Sequence, residues 1–174
     1  MKVLIAVASK HGSTREIAQA ISEELQEANI AVEILDLTKG EIADVGSYHA
    51  VILGSAIYAG SWLPEAKQFA QKHNTELASL PVWLFSSGPL GADNPQPHDD
   101  PEKLALSLGQ VKVREHHVFV GKLDAADLRL GERLIVKMVH APGGDFRDWE
   151  EVSNWGRSIA RQLHSEVAAV NTTS

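Results

Sequence analysis

Residues 3–18, VLIAVASKHGSTREIA, decide the fold of this chain. Positions 3–8 are apolar without interruption, which is typical of a strand buried on both faces of a parallel sheet. Ser13 is a candidate helix N-cap, and Glu16 three residues later completes a capping box. Apolar residues then recur at helical spacing, at Ile17, Ala20, Ile21, Leu25 and Ala28. The stretch therefore predicts a strand, a short polar loop and a helix.

Four more apolar runs of strand length follow along the chain, and helical patterns separate them. They lie at residues 31–35, 50–55, 82–86 and 117–120. Alternation of strands and helices is typical of βαβ units and a parallel sheet. The sequence therefore predicts an α/β fold with a doubly wound, five-stranded parallel sheet and helices on both faces.

Three further helices are predicted. One begins at Pro64, a residue that suits the first helical turn, and a short one spans residues 102–108. The helix from Pro64 is expected to bury Ala66, Phe69, Ala70 and Leu77. The closing helix begins at Asp148, with Glu151 as its capping-box partner. Its predicted buried stripe consists of Trp149, Val152, Trp155, Ile159 and Leu163.

Composition bounds the class of protein. At 174 residues the chain can bury a full core, and we expect one domain over 1–167 with a flexible tail over 168–174. No cysteine is present, so redox activity requires a bound cofactor. The net charge of −7 disfavours nucleic acid and suits a basic protein partner. The N-terminal apolar run is too short to cross a bilayer, so we expect a cytoplasmic protein.

The polar loop at residues 9–14 is the first candidate for a binding site. A helix N-terminus offers free N–H groups and a partial positive charge, which suit a phosphate. Three hydroxyls can add hydrogen bonds, and Gly12 permits a close approach of the backbone to a ligand. A well-capped turn without a ligand is the alternative. The loop lacks the GxGxxG and Walker patterns, which argues against dinucleotide and P-loop sites.

Two further loops follow the third and fourth predicted strands. Beyond the third, Tyr58 or Trp62 can offer a stacking face to a flat aromatic ligand, and Gly60 permits a peptide flip beside it. The alternative is that both rings only cover the sheet edge. Beyond the fourth, residues 86–91 offer free backbone groups to a polar ring edge. Doubly wound sheets bind ligands at these carboxyl ends.

Metal sites and covalent catalysis are not indicated. His116 and His117 are neighbours on a strand and face opposite sides, so they cannot easily share an ion. His98 lies in a loop without a second set of spaced ligands. We therefore expect no metal. No Ser-His-Asp arrangement follows from the spacing, so we assign no catalytic residue.

Across nearly its whole length the chain resembles the flavodoxins, with residues 9–14 similar to their FMN phosphate motif. The resemblance implies a flavodoxin-like fold with strand order 2-1-3-4-5 and FMN as cofactor. In that family the second loop packs on the isoalloxazine ring and the third hydrogen-bonds its pyrimidine end. The cofactor-binding residues implied are Ser9, Lys10, His11, Gly12, Ser13, Thr14, Ser55, Ala56, Ile57, Tyr58, Ala59, Gly60, Ser86, Ser87, Gly88, Pro89, Leu90 and Gly91.

Residues 11–18, 51–57 and 143–150 are more similar to one branch, the menaquinone-dependent protoporphyrinogen dehydrogenases of haem biosynthesis. Residues 129–140 occupy the region where that branch carries a long basic insertion. This sequence departs from the branch after Ser87, where it is rich in proline and aspartate rather than lysine and arginine. A porphyrinogen dianion needs basic side chains, so the dehydrogenase is the alternative to a general flavoprotein.

Arg129, Arg133 and Lys137 recur every four residues and form the basic side of a short amphipathic helix. Such a helix can lie on an anionic membrane. The alternative is that its apolar side packs on the protein and its charges are solvated. A symmetric dimer through 129–140 is a further expectation that the sequence leaves open.

Three functions follow as hypotheses. The first is electron transfer to a redox partner protein, which the acidic composition suggests. The second is an FMN oxidoreductase that passes electrons from a porphyrinogen or a similar compound to a quinone. The third is a binding module that keeps the fold without the cofactor.

Overall fold

The computed structural model describes residues 1–58, 60–88, 104, 108–123 and 144–172. In chain order the elements are β1 Lys2–Ala8, α1 Ser13–Glu27, β2 Ala31–Asp36, β3 Ala50–Tyr58, β4 Ser61–Trp62, α2 Pro64–Lys72, α3 Asn74–Ser79, β5 Val82–Ser87, β6 Val113–Phe119, β7 Lys122–Leu123, β8 Gly144–Asp145 and α4 Trp149–Thr172. Four of the five predicted strands begin within one residue of the predicted start.

The five long strands form a parallel sheet in the order β2-β1-β3-β5-β6. Counted along the chain, these strands are the first to the fifth, so the predicted order 2-1-3-4-5 is confirmed. The chain moves from β1 to β2 on one side and then to β3 on the other. The strand order therefore reverses at β1, and ligands of such sheets bind at this point.

The core has two layers, one on each face of the sheet. Val3, Ile5 and Val7 of β1 point to the face covered by α1 and α4. Leu4 and Ala6 point to the face covered by α2 and α3. Because every one of these side chains is fully buried, the strand needs an unbroken apolar run. The predicted helices on both faces are confirmed.

The fifth predicted strand was placed too late. Residues 117–120 were predicted, whereas β6 spans Val113–Phe119. The strand lies at the edge of the sheet, and its residues alternate between more and less exposed positions. An unbroken apolar run is absent from this strand, because Arg114 to His117 are four polar residues in succession.

The helix predicted from Pro64 divides in two. α2 ends at Lys72 and α3 begins at Asn74, with buried His73 between them. The four predicted core residues of this region are buried: Ala66, Phe69, Ala70 and Leu77. Of the predicted helix at 102–108, only Leu104 and Leu108 are described, and both are buried.

The closing helix begins as predicted. The Glu151 N–H donates to Asp148 Oδ1 over 3.0 Å, which is the expected N-cap bond. Trp149 was wrongly placed in the buried stripe, since it is 41% exposed and lies under the Arg147 guanidinium. The helix runs to Thr172, so residues 168–172 are helical where we expected a frayed tail. The domain division at residue 167 stays a prediction.

Within the described ranges, none of the helices is long and apolar enough to cross a bilayer.

Candidate functional site

The three candidate loops begin at one edge of the sheet. The strand register pairs Ala8 of β1 with Ser55 of β3, and Ser55 with Ser86 of β5. The chain therefore leaves the sheet at nearly the same level in three neighbouring strands. The parallel arrangement brings the described residues of the predicted site together at the point where the strand order reverses.

The first loop differs from the predicted capping box. Gly12, not Ser13, is the N-cap of α1, and Ser13 is the first helical residue. Gly12 has φ +90°, a left-handed conformation that residues with a side chain rarely adopt. Its N–H donates to Ser9 Oγ over 3.1 Å. Among the described residues no side chain caps α1, so the first turn presents its N–H groups at the sheet edge.

Thr14 lies in this first turn and is only 1% exposed. Its Oγ1 atom has no hydrogen-bond partner within the described part of the chain. A buried hydroxyl without a partner costs free energy, so such a group is typical of a site that a polar ligand completes. An uncapped helix N-terminus beside this hydroxyl suits an anionic group such as the phosphate of FMN.

The second loop is a β-hairpin that sequence reasoning missed. β3 extends to Tyr58, three residues beyond the predicted end, and then pairs antiparallel with β4. Gly60 in the connecting turn has φ +74°. The hairpin carries Tyr58 to the first loop, where its hydroxyl lies 2.8 Å from His11 Nε2 and Lys10 Nζ lies 4.4 Å from its ring centroid.

Trp62 is buried and does not present a stacking face. It is 3% exposed, and its indole N–H donates to Ser86 Oγ over 2.8 Å. Ser86 Oγ also lies 2.8 Å from His116 Nε2. Trp62 therefore covers the sheet end, as the packing alternative predicted, and joins the hairpin to β5 and β6.

Two of the predicted site serines are used inside the protein. Ser86 bonds to Trp62 and His116, and Ser55 Oγ donates to the Ala56 carbonyl and accepts the Leu63 N–H. Both serines are fully buried. Their side chains thus fix the hairpin and strand ends.

The third loop is described only as far as Gly88. The Gly88 N–H donates to the Phe119 carbonyl over 3.1 Å, and Gly121 packs against the Gly88 backbone. Four predicted residues of the second and third loops lie outside the described residues: Ala59, Pro89, Leu90 and Gly91.

Arg147 borders the first loop and was not predicted from the sequence. Its Nη1 donates to the Glu16 carboxylate over 2.6 Å and to the Ser13 carbonyl over 3.2 Å. Its Nε and Nη2 donate to the two oxygens of Asp145, over 2.8 and 2.6 Å. The hydrogen bonds from Arg147 hold the pKa of Asp145 below its usual range. The contact between Arg147 and Glu16 joins residues 131 positions apart, so local sequence patterns carry no signal for it.

His116 and His117 have separate partners, as the strand geometry predicted. His116 bonds to Ser86, whereas His117 Nε2 lies 3.0 Å from Glu151 of α4. Over the described residues no group of three or more histidines and acids could hold a metal ion. His98 and the basic residues Arg129, Arg133 and Lys137 lie outside the described residues.

Comparison with known proteins gives three kinds of relative. The chain is 28% identical to the protoporphyrinogen IX dehydrogenase [quinone] of Escherichia coli strain K12, over 92% of this chain and 95% of that protein. It is 30% identical to a probable flavodoxin 1 of Bacillus subtilis, over 50% of this chain and 56% of that one. Flavodoxin 1 of Bacillus cereus superposes with a TM-score of 0.60 at 18% identity, covering 90% and 95% of the two chains.

The family model for the flavodoxin domain matches residues 4–149, from the first strand to the start of the closing helix. This match includes the described loops at the sheet edge. It agrees with the strand order and with the structural neighbours, and it supports the predicted FMN cofactor and redox function. The chain belongs to the flavodoxin family.

Proposed function

We propose that this chain holds FMN at the carboxyl edge of β1, β3 and β5, with the phosphate at the N-terminus of α1. The buried hydroxyl of Thr14 carries the proposal, because its Oγ1 has no partner among the described residues and lies in an uncapped first turn. FMN is a phosphate monoester and would supply an acceptor for this hydroxyl and for the neighbouring N–H groups.

Each loop has a separate task in this proposal. The first loop binds the phosphate through Thr14 and the backbone N–H groups of α1. Tyr58 lies against the side of the isoalloxazine ring. Backbone groups of the third loop hydrogen-bond its polar edge, except the Gly88 N–H, which bonds to the Phe119 carbonyl. The bound flavin supplies the capacity to accept and donate electrons, which the side chains of this cysteine-free protein do not provide.

The phosphate site is tested by Thr14→Val, which keeps the shape of the side chain and removes the hydroxyl. We expect the FMN dissociation constant to rise about 10-fold, because a hydrogen bond to a charged group is lost. The affinity for riboflavin, which has no phosphate, should stay within about twofold. Fluorescence titration measures both constants.

Ser22→Ala is the matched control, because Ser22 is a buried hydroxyl on the same helix whose Oγ accepts from Gln26. It should leave the FMN affinity unchanged. Equal affinities of the wild type and Thr14→Val for FMN would contradict the proposed phosphate site. A wild type that binds no flavin would leave the cofactor-free binding module as the function.

A second candidate is a dehydrogenase that oxidises a porphyrinogen and reduces a quinone. The observation that favours it is the 28% identity to such a dehydrogenase over 92% of this chain. Electron transfer to a protein partner remains the other specific role, and the net charge of −7 suits a basic partner.

The two roles differ in what they reduce. The FMN-loaded protein is mixed anaerobically with protoporphyrinogen IX and a water-soluble menaquinone analogue, and porphyrin fluorescence is followed. A dehydrogenase produces porphyrin only when both protein and quinone are present. Porphyrin formation no faster than in the protein-free control would reject this candidate and leave electron transfer.

Membrane contact through Arg129, Arg133 and Lys137 is a separate part of the dehydrogenase proposal, motivated by their spacing in the sequence. Cosedimentation with vesicles of anionic lipid measures it, with neutral vesicles as the control. Replacing all three residues by glutamine should abolish binding to the anionic vesicles. Unchanged binding would exclude these residues as the contact. A cytoplasmic location fits this peripheral arrangement.

A further inference from the structure

We propose that Arg147 is a positioning residue that holds Glu16 away from the N-terminus of α1 and so keeps the N–H groups there for the phosphate. The inference rests on the proposed FMN site and names a residue that this site depends on. Arg147 lies outside the three candidate loops and contacts the first of them through the Ser13 carbonyl, at 3.2 Å.

The sequence favours a different arrangement from the one observed. Ser13 and Glu16 have the spacing of a capping box, in which a serine and a glutamate together occupy the N–H groups at a helix N-terminus. A carboxylate is also attracted to the partial positive charge there. In that arrangement Glu16 would compete with any anionic ligand for the same groups.

Arg147 engages both members of this pair. One nitrogen, Nη1, contacts the Glu16 carboxylate at 2.6 Å and the Ser13 carbonyl at 3.2 Å. In this arrangement Ser13 is the first helical residue, Gly12 is the N-cap, and no side chain among the described residues caps the helix. The contacts therefore favour the uncapped arrangement over the capping box.

The guanidinium is itself held rigidly. Its other two nitrogens bond to both oxygens of Asp145, and Trp149 lies against its face at 4.4 Å. The Arg147 side chain is only 3% exposed, whereas Glu16 is 55% exposed. A buried, doubly anchored arginine can restrain an otherwise mobile surface carboxylate, because the planar guanidinium loses little freedom in the contact.

The experiment is a double-mutant cycle on FMN binding with Arg147→Gln and Glu16→Ala. In the presence of Glu16, we expect Arg147→Gln to raise the FMN dissociation constant about 10-fold, because Glu16 is released to compete. With Glu16→Ala already present, Arg147→Gln should raise the FMN dissociation constant less than about threefold. Riboflavin affinity should stay within about twofold throughout, since only the phosphate contacts change.

Arg157→Gln is the matched control. Arg157 of α4 also pairs with a glutamate of α1, with 3.2 Å between its Nε and Glu24 Oε2, but Glu24 lies in the last turns of the helix. This variant should bind FMN like the wild type. An equal loss of FMN affinity from Arg147→Gln in both backgrounds would overturn the inference, because Arg147 would then act on the anion directly. An equal loss of FMN and riboflavin affinity would overturn it as well.

Glu16→Ala keeps the inference testable if Arg147→Gln does not fold. We expect this single variant to bind FMN at least as tightly as the wild type, and a 10-fold weaker affinity would overturn the inference. Failure of the proposed function looks different, since the wild type would then show no preference for FMN over riboflavin. If the wild type prefers FMN over riboflavin and Arg147→Gln keeps the same preference, the role of Arg147 is refuted while the proposed FMN site stands.

Discussion

At the scale of single residues, Phe85 leaves no room for a side chain at position 54. The two residues are paired across β3 and β5, and a Cβ atom at Gly54 would lie 2.1 to 2.7 Å from carbons of the Phe85 ring. Phe85 is fully buried and packs against Phe119 and Trp155, so it cannot move aside easily. Gly54 directly precedes Ser55, so this contact also fixes the strand end from which the second loop begins.

Gly54→Ala is therefore expected to lower the free energy of unfolding by about 2 kcal/mol, as overpacking does in a dense core. Urea denaturation measures the change. Gly40→Ala is the control, because its Cβ would be 3.8 Å from the nearest atom, an ordinary contact. Similar effects of the two substitutions would show that the Phe85 ring does not constrain position 54.

The lowered pKa of Asp145 makes the stability of the fold depend on pH. Hydrogen bonds from Arg147 lower its pKa in the folded state below the unfolded value of about 4. A carboxylate with a lowered pKa stabilises the fold above the unfolded pKa, and this contribution is lost as the pH falls through the lower, folded value.

Asp145→Asn should accordingly unfold at a lower temperature than the wild type at pH 7, and the difference should shrink as the pH falls below about 4. Thermal unfolding between pH 2 and pH 7 measures both curves. Glu27→Gln, a change at an exposed carboxylate near the end of α1, serves as control and should follow the wild type. A difference between Asp145→Asn and the wild type that stays constant with pH would contradict the ionic contact with Arg147.

At the scale of elements, the β3–β4 hairpin is the feature that most changes the site relative to the sequence prediction. Gly54 and Ser55 suggested the end of a strand, yet β3 continues to Tyr58 before the chain turns. The hairpin is held from outside, by the bond from Trp62 to Ser86, which is 24 residues away. Such a contact depends on the tertiary fold and has no local sequence signal.

We expect Trp62→Phe and Ser86→Ala to be coupled. Each should lower the free energy of unfolding by about 1 to 2 kcal/mol, because each leaves a buried polar group without this partner. The double variant should lose about 1 kcal/mol less than the sum, since the shared hydrogen bond is lost only once. Chemical denaturation of the four proteins measures the cycle, and strict additivity would contradict the bond.

At the scale of the whole molecule, the central strands of the sheet and their order could be predicted from the sequence. Strands such as β1 are buried on both faces, so their apolar runs are unbroken and easy to find. β6 was misplaced because four of its residues in succession, Arg114 to His117, are polar, so the edge strand has no unbroken apolar run. The loops at the sheet edge could be named because parallel strands end together. The sequence could not predict the contacts of Arg147 or the contact between Tyr58 and His11, because only the tertiary fold brings these residues together.

The central claim is that FMN binds at the carboxyl edge of β1, β3 and β5. Two-dimensional amide NMR of the ¹⁵N-labelled protein during FMN titration tests it most directly. We predict that the largest chemical-shift changes occur at Gly12 to Arg15, near Tyr58, and at Ser87 and Gly88. Changes confined to the opposite edge, near Ala31 and His49, or no change at saturating FMN, would contradict the claim.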